Sequence, residues 1–95
     1  MNETETKTMP TVVYSKPNCP SCVNAKMLLK NKNIPFTESI IGKDIQVETL
    51  MKEFEMNNLP MPRTAPQIIL HGKYIGGYEN LLQYIDDHGL GYGGH

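Results

Sequence analysis

Apolar residues along the chain come in short continuous runs and in runs spaced three or four apart, and the changes between the two mark seven elements. Residues 11–15 carry Val12, Val13 and Tyr14 in succession, which predicts a short buried strand. Lys16-Pro17-Asn18 breaks it. Pro20 then suits the first turn of a helix, where a missing N–H leaves nothing unsatisfied. Over residues 21–31, Ala25, Leu28 and Leu29 line one helical face, with Val23 and Met27 beside it, and residues 31–33 supply the stop. Residues 36–41 predict a second strand, ended by Gly42. Asp44 stands as the cap of a second helix, in which Val47, Leu50, Met51 and Phe54 recur at i, i+3, i+4 and i+7. After a proline-containing loop at 57–62, Ile68, Ile69 and Leu70 place a third strand within 65–71. Gly72 offers a turn, residues 73–75 return as the partner of a hairpin, and Gly76-Gly77 breaks that strand. Tyr78, Leu81, Leu82 and Ile85 define a last helix ending near Gly89.

The order β-α-β-α-β-β-α predicts an α/β domain. Its first two strands should be parallel with a right-handed crossover, its last two antiparallel, and helices should flank a mixed four-stranded sheet. Ninety-five residues make one domain. It is expected over residues 10–88, between a flexible polar tail at 1–9 and a glycine-rich tail at 89–95. Nine basic and ten acidic residues leave a net charge of −1, which gives no bulk attraction to nucleic acid or membrane. No apolar run reaches transmembrane length, and the first nine residues lack the apolar core of a signal peptide. A soluble cytoplasmic protein, in a host cell's cytoplasm if viral, is the expectation.

Only two cysteines occur, Cys19 and Cys22, where the first strand feeds the first helix. Residues three apart in a helical turn share a face, near enough for a disulfide. A cysteine at the helix entrance meets free N–H groups and the positive end of the helix dipole. Together with Lys16, these should depress the pKa of Cys19. Cys22, one turn further in, should be less exposed. Cys19 would then attack a substrate disulfide and Cys22 would resolve the mixed disulfide. The same spacing suits half of a zinc site, but no second CxxC exists and only His71, His88 and His95 remain as ligands, at no zinc-finger spacing. Two inert buried thiols are the third reading.

Lys16-Pro17-Asn18-Cys19-Pro20-Ser21-Cys22, Thr64-Ala65-Pro66 and Gly76-Gly77-Tyr78-Glu79-Asn80-Leu81 together resemble the dithiol glutaredoxins, small viral and bacterial ones included, in order and spacing over residues 11–87. The resemblance implies the thioredoxin fold, a cis Pro66 facing the cysteines, and glutathione as reductant, with no permanently bound cofactor and no metal. It further implies that Lys16 and Arg63 meet a glutathione carboxylate and that the Ala65 backbone pairs with the cysteinyl unit. Gly77 would allow close approach, and the N–H groups of Tyr78 and Glu79 would hold the γ-glutamyl carboxylate. A monomer acting on protein disulfides, ribonucleotide reductase among them, is the family-level expectation.

Three features depart from the family pattern. Ser21 stands where tyrosine is usual, Ala65 where valine is usual, and the loop at 57–62 is longer. Two further functions are compatible with the motif. One is a thioredoxin-like electron donor reduced by a flavoprotein reductase, against which Gly76-Gly77 and Arg63 argue. The other is an iron–sulfur carrier in which two chains share a cluster through Cys19 and glutathione, which Pro20 should disfavour by stiffening the motif.

Overall fold

Val12–Ser15 forms β1, the strand on which everything else is hung, and in the computed structural model, which describes residues 10–89, six further elements follow. They are α1 (Pro20–Asn31), β2 (Thr37–Ile40), α2 (Val47–Met56), β3 (Gln67–Leu70), β4 (Lys73–Gly76) and α3 (Tyr78–His88). The tails expected at 1–9 and 89–95 lie outside the described residues, apart from Gly89, which closes the last helix. The sheet runs β2-β1-β3-β4. β1 pairs parallel with β2 and antiparallel with β3, and β4 returns antiparallel on β3. This is the mixed sheet and element order of the thioredoxin fold.

Neighbouring residues on a strand face opposite ways, so β1 serves two cores. Val13 joins Ala25, Leu29 and Ile34 from the α1 region, Ile68 and Leu70 from β3, and Leu81 and Ile85 from α3 in one buried cluster. Tyr14 points to the other face. There its ring meets Phe54 of α2 edge-on at 5.9 Å, and Phe54 meets Tyr74 of β4 at 5.7 Å. Within α2, Leu50 and Phe54 are the fully buried residues, whereas Val47 is 42% exposed. The expected stripe on that helix is therefore narrower than its spacing suggests.

Local chemistry ends each element. Asn33 and Asn58 both adopt φ 59°, the left-handed conformation that asparagine tolerates. Each closes a helix with paired bonds to the last turn: Ile34 N–H to Leu29 and Asn33 N–H to Lys30, then Leu59 N–H to Phe54 and Asn58 N–H to Glu55. His71 and Gly72, at φ 49° and 83°, make the two-residue turn whose twist matches a hairpin. That turn is also stitched to the chain before β1. His71 N–H donates to Thr11 Oγ1 and Gly72 N–H to the Pro10 carbonyl, both at 3.0 Å.

Asp44 is not the cap of α2, contrary to the sequence expectation. The capping position belongs to Gln46, and the Asp44 carboxylate instead accepts the Ile40 N–H at 2.9 Å. A short acidic side chain that can close its own local turn is drawn away from the helix start. β3 also begins two residues later than the sequence suggests, at Gln67, which leaves Ala65 and Pro66 in the preceding loop.

Candidate active site

The turn at Pro17 and Asn18, the latter at φ 56°, redirects the chain from β1 into α1 and brings Cys19 to the helix entrance. Cys19 is the N-cap of α1, with Pro20 in the first turn. It is joined to Cys22 as a disulfide, with their Cα atoms 5.2 Å apart. The Cys22 N–H points at Cys19 Sγ, 3.2 Å away, so the cysteine sulfur takes the position that a serine or aspartate oxygen holds in an ordinary helix cap. Both cysteines are buried, Cys22 more deeply: 8% of Cys19 is exposed and 2% of Cys22.

A second segment closes on the pair from β3. The Ala65–Pro66 bond is cis, as the resemblance implies, and the Ala65 carbonyl oxygen lies 3.7 Å from Cys19 Sγ. Gln67 holds this loop. Its buried side chain donates to the Thr64 carbonyl at 2.8 Å and accepts the Tyr74 hydroxyl at 2.7 Å. Tyr74 is also packed on Phe54. A continuous path of contacts therefore links the α2 face of the sheet to the loop beside the sulfurs. Burial holds both phenols of this face above their ordinary value, with the Glu53 carboxylate adding to the effect at Tyr14.

On the other side of the cysteines an open cleft is lined by Lys16, Pro20, Val23, Lys26, Glu38 and Ile40, among others. At its base Glu38 of β2 accepts both the Lys26 ammonium and the Ser15 hydroxyl, each at 2.6 Å. The Lys26 bond, then the Ser15 bond, hold the Glu38 carboxyl below its ordinary value despite its partial burial. Sequence reasoning missed this group. Its partners are 12 and 23 residues away, and only the parallel pairing of Val13 with Glu38 brings them to one face.

The residues singled out from the sequence fall into two places. Lys16 lies on the cleft beside Cys19 and is exposed, while Arg63 is exposed in the loop leading to Ala65. Pro66 is buried. A Cβ added to Gly77 would lie 3.8 Å from the Pro66 carbonyl oxygen, so the start of α3 sits against the cis-proline loop. Tyr78 packs on the main core, and Glu79 is exposed on the first turn of α3. Asn80 was not singled out, yet its Oδ1 accepts the Gly77 N–H at 3.0 Å and fixes the β4–α3 junction. An asparagine three residues after a glycine cap was the available signal. Two histidines weighed as ligands are engaged elsewhere. The ring of His71 lies 3.4 Å from Thr11 Oγ1, and that of His88 stacks on Tyr84 at 4.0 Å.

A cysteine pair at a helix entrance, faced by a cis-proline loop on this sheet, defines a thiol–disulfide oxidoreductase of the thioredoxin fold. The Glutaredoxin family model matches residues 11–75, and the chain belongs to the glutaredoxin family. It is 32% identical over 83 residues to glutaredoxin 1 of Escherichia coli, covering 83% of this chain and 95% of that protein. It is 35% identical over 73 residues to the hybrid peroxiredoxin hyPrx5 of Haemophilus influenzae, a match covering 77% of this chain and 28% of that longer protein. Among solved structures, the dithiolic glutaredoxin 2-C-Grx1 of Trypanosoma brucei brucei superposes with a TM-score of 0.66 at 29% identity, over 94% of this chain and 89% of that one.

Proposed function

We propose that the protein is a glutathione-dependent oxidoreductase that reduces protein disulfides and glutathione mixed disulfides, acting as a monomer in a reducing compartment such as the cytoplasm. The observation that carries this reading is the Cys19 sulfur at the cap of α1, aimed at by the Cys22 N–H and faced by the Ala65 carbonyl. When the pair is reduced, the same N–H and the helix dipole favour a thiolate at Cys19.

The Cys19 thiolate attacks one sulfur of the substrate disulfide. That S–S bond breaks, and the departing sulfur leaves with the electron pair and takes a proton. The Cys22 thiolate then attacks Cys19 Sγ, expels the second substrate sulfur and leaves the Cys19–Cys22 disulfide. Two electrons have passed to the substrate. Two glutathione thiols restore the dithiol and leave as glutathione disulfide.

Recognition of glutathione falls to groups on both sides of the cysteines, Lys16 on the cleft and the rest around the cis-proline loop. The cations of Lys16 and Arg63 suit its glycine carboxylate. The backbone of Ala65, whose carbonyl faces Cys19 Sγ just before Pro66, suits pairing with an extended peptide. Gly77 keeps the neighbouring turn free of a side chain, and the first-turn N–H groups of Tyr78 and Glu79 have no acceptor within their helix and suit the γ-glutamyl carboxylate.

The deciding experiment supplies a glutathione mixed disulfide with glutathione, glutathione reductase and NADPH. NADPH oxidation that disappears in Cys19→Ser is the expected result. Cys22→Ser should keep this activity and lose reduction of protein disulfides. Absence of turnover by the folded, metal-free protein refutes glutathione dependence, and reduction by a thioredoxin reductase then becomes the reading to test.

A further inference from the structure

Charge is unevenly distributed along this nearly neutral chain. From Pro10 to Thr37 there are four lysines and no carboxylate, whereas from Glu38 to Gly89 four cations stand against eight carboxylates. The cationic stretch is the one that carries the cysteines. Lys26 is paired with Glu38, which leaves Lys16, Lys30 and Lys32 as the cations flanking α1.

The outward face of α1 carries exposed apolar residues among its polar ones. Pro20, Val23, Met27 and Lys30 follow one another at i, i+3, i+7 and i+10, which places them on one stripe of a helix. Val23 is 49% exposed and Met27 55% exposed. Pro20 and Lys30 are exposed as well. Both Pro20 and Val23 line the cleft that holds Cys19 and Lys16. An apolar track therefore starts beside the sulfurs and ends at an ammonium. At 1.5 Å per residue, its length from Pro20 to Lys30 is about 15 Å, the span of about five extended residues.

We infer that this stripe is the docking track for the protein substrate, and that its occupant is a segment carrying apolar residues next to its reactive cysteine and a carboxylate about five residues away. The inference rests on the oxidoreductase reading and adds substrate selection to it. Lys16 and Lys30 bracket the stripe while Glu38 on the same cleft is engaged by Lys26 and Ser15, so an acidic segment gains attraction at Lys30 and a basic one is repelled. The exposed Val23 and Met27 supply the desolvated contact between the two charged ends. Glutathione, held around Ala65 and Gly77, is too short to use this track and should be indifferent to it.

The test uses the full-length protein reduced with dithiothreitol and then freed of it, so that its outcome does not depend on glutathione. Single-turnover rates are measured on two synthetic peptide disulfides. They are identical except for glutamate or lysine five residues from the cysteine. Bis(2-hydroxyethyl) disulfide is the small control. The wild type should reduce the glutamate peptide about tenfold faster at low salt, with the preference shrinking as salt is added. Lys30→Glu should reverse the preference, and Met27→Ser should slow both peptides several-fold, while both variants keep the wild-type rate on the small control. Equal rates on the two peptides, or a Lys30→Glu preference unchanged from wild type, overturn the inference. A salt-sensitive dimer in sedimentation that Lys30→Glu dissociates overturns it too, because a second copy would then be the occupant. If the peptides behave as expected but glutathione turnover fails, the track stands and the reductant is wrong.

Discussion

Replacing Glu38 with glutamine tests the clamp at the base of the cleft with almost no change of shape. The amide still accepts the Ser15 hydroxyl, but the ionic half of the bond to Lys26 is gone. The side chains of Lys26 and Glu38 are 26% and 31% exposed, which places the pair between two known limits. Fully exposed pairs contribute about 0.2–1 kcal/mol, and hydrogen bonds to charged groups about 1.5–3 kcal/mol. A loss of about 1–2 kcal/mol at pH 7 follows. For a domain of this size each kcal/mol moves Tm by about 4–8 °C, so the melting temperature should drop by roughly 4–16 °C. The pH dependence has a definite sign. The folded-state carboxyl of Glu38 is held below its ordinary value of 4.5 by Lys26 and then Ser15. Its stabilisation is therefore complete above that ordinary value and is lost as pH falls through the lower folded-state value. Circular-dichroism melts of the oxidised wild type and Glu38→Gln from pH 7 to pH 3 should show two Tm curves that converge in acid. Curves that stay parallel throughout, or that coincide at pH 7, would refute the clamp as a source of stability.

Truncating Phe54 to alanine should destabilise by about 3–5 kcal/mol in urea unfolding, since it empties a buried site and breaks two edge-to-face ring contacts. A loss under 1 kcal/mol would mean that α2 is held by something else. Gly76→Ala places a Cβ 2.9 Å from Asn80 Oδ1 at a residue with φ 117°, whereas Gly42→Ala, at φ 95°, meets nothing within 4 Å. Both substitutions carry backbone strain of about 1–3 kcal/mol. Gly76→Ala should cost more in calorimetry, and it should be less than additive with Asn80→Ala, because both release the Gly77 N–H. In a spectrophotometric titration Tyr14 and Tyr74 should ionise above the ordinary 10.0, and stability should fall as pH rises past that value, where the unfolded phenols lose their protons first.

Element order was legible because each strand and helix carries its own rhythm. The β1 run, the α3 spacing and the His71-Gly72 turn are decided within a few residues. The CxxC pair was legible for the same reason: its chemistry follows from two cysteines and the helix entrance between them. What escaped depends on contacts between distant segments. Asp44 had two possible partners, and only the folded turn shows that the Ile40 N–H won. Val23 and Met27 stand beside the core face in the sequence, and they stay exposed because α1 needs only Cys22, Ala25 and Leu29 to bury itself. Glu38 reads as an exposed strand acid until its register with Val13 carries it under α1. Gln67 gives no local hint that it braces the Thr64 carbonyl.

The stitching of Pro10 and Thr11 to the β3–β4 turn has a bearing on how such a domain combines with others. The chain enters β1 at the end of the strand remote from the cysteines, with four strand residues, about 13 Å of backbone, between entry and site. The chain just before β1 is thus tied to the His71–Gly72 turn and not to the loop that presents Cys19. Whatever is joined ahead of Pro10 therefore begins at the end of the sheet opposite the sulfurs.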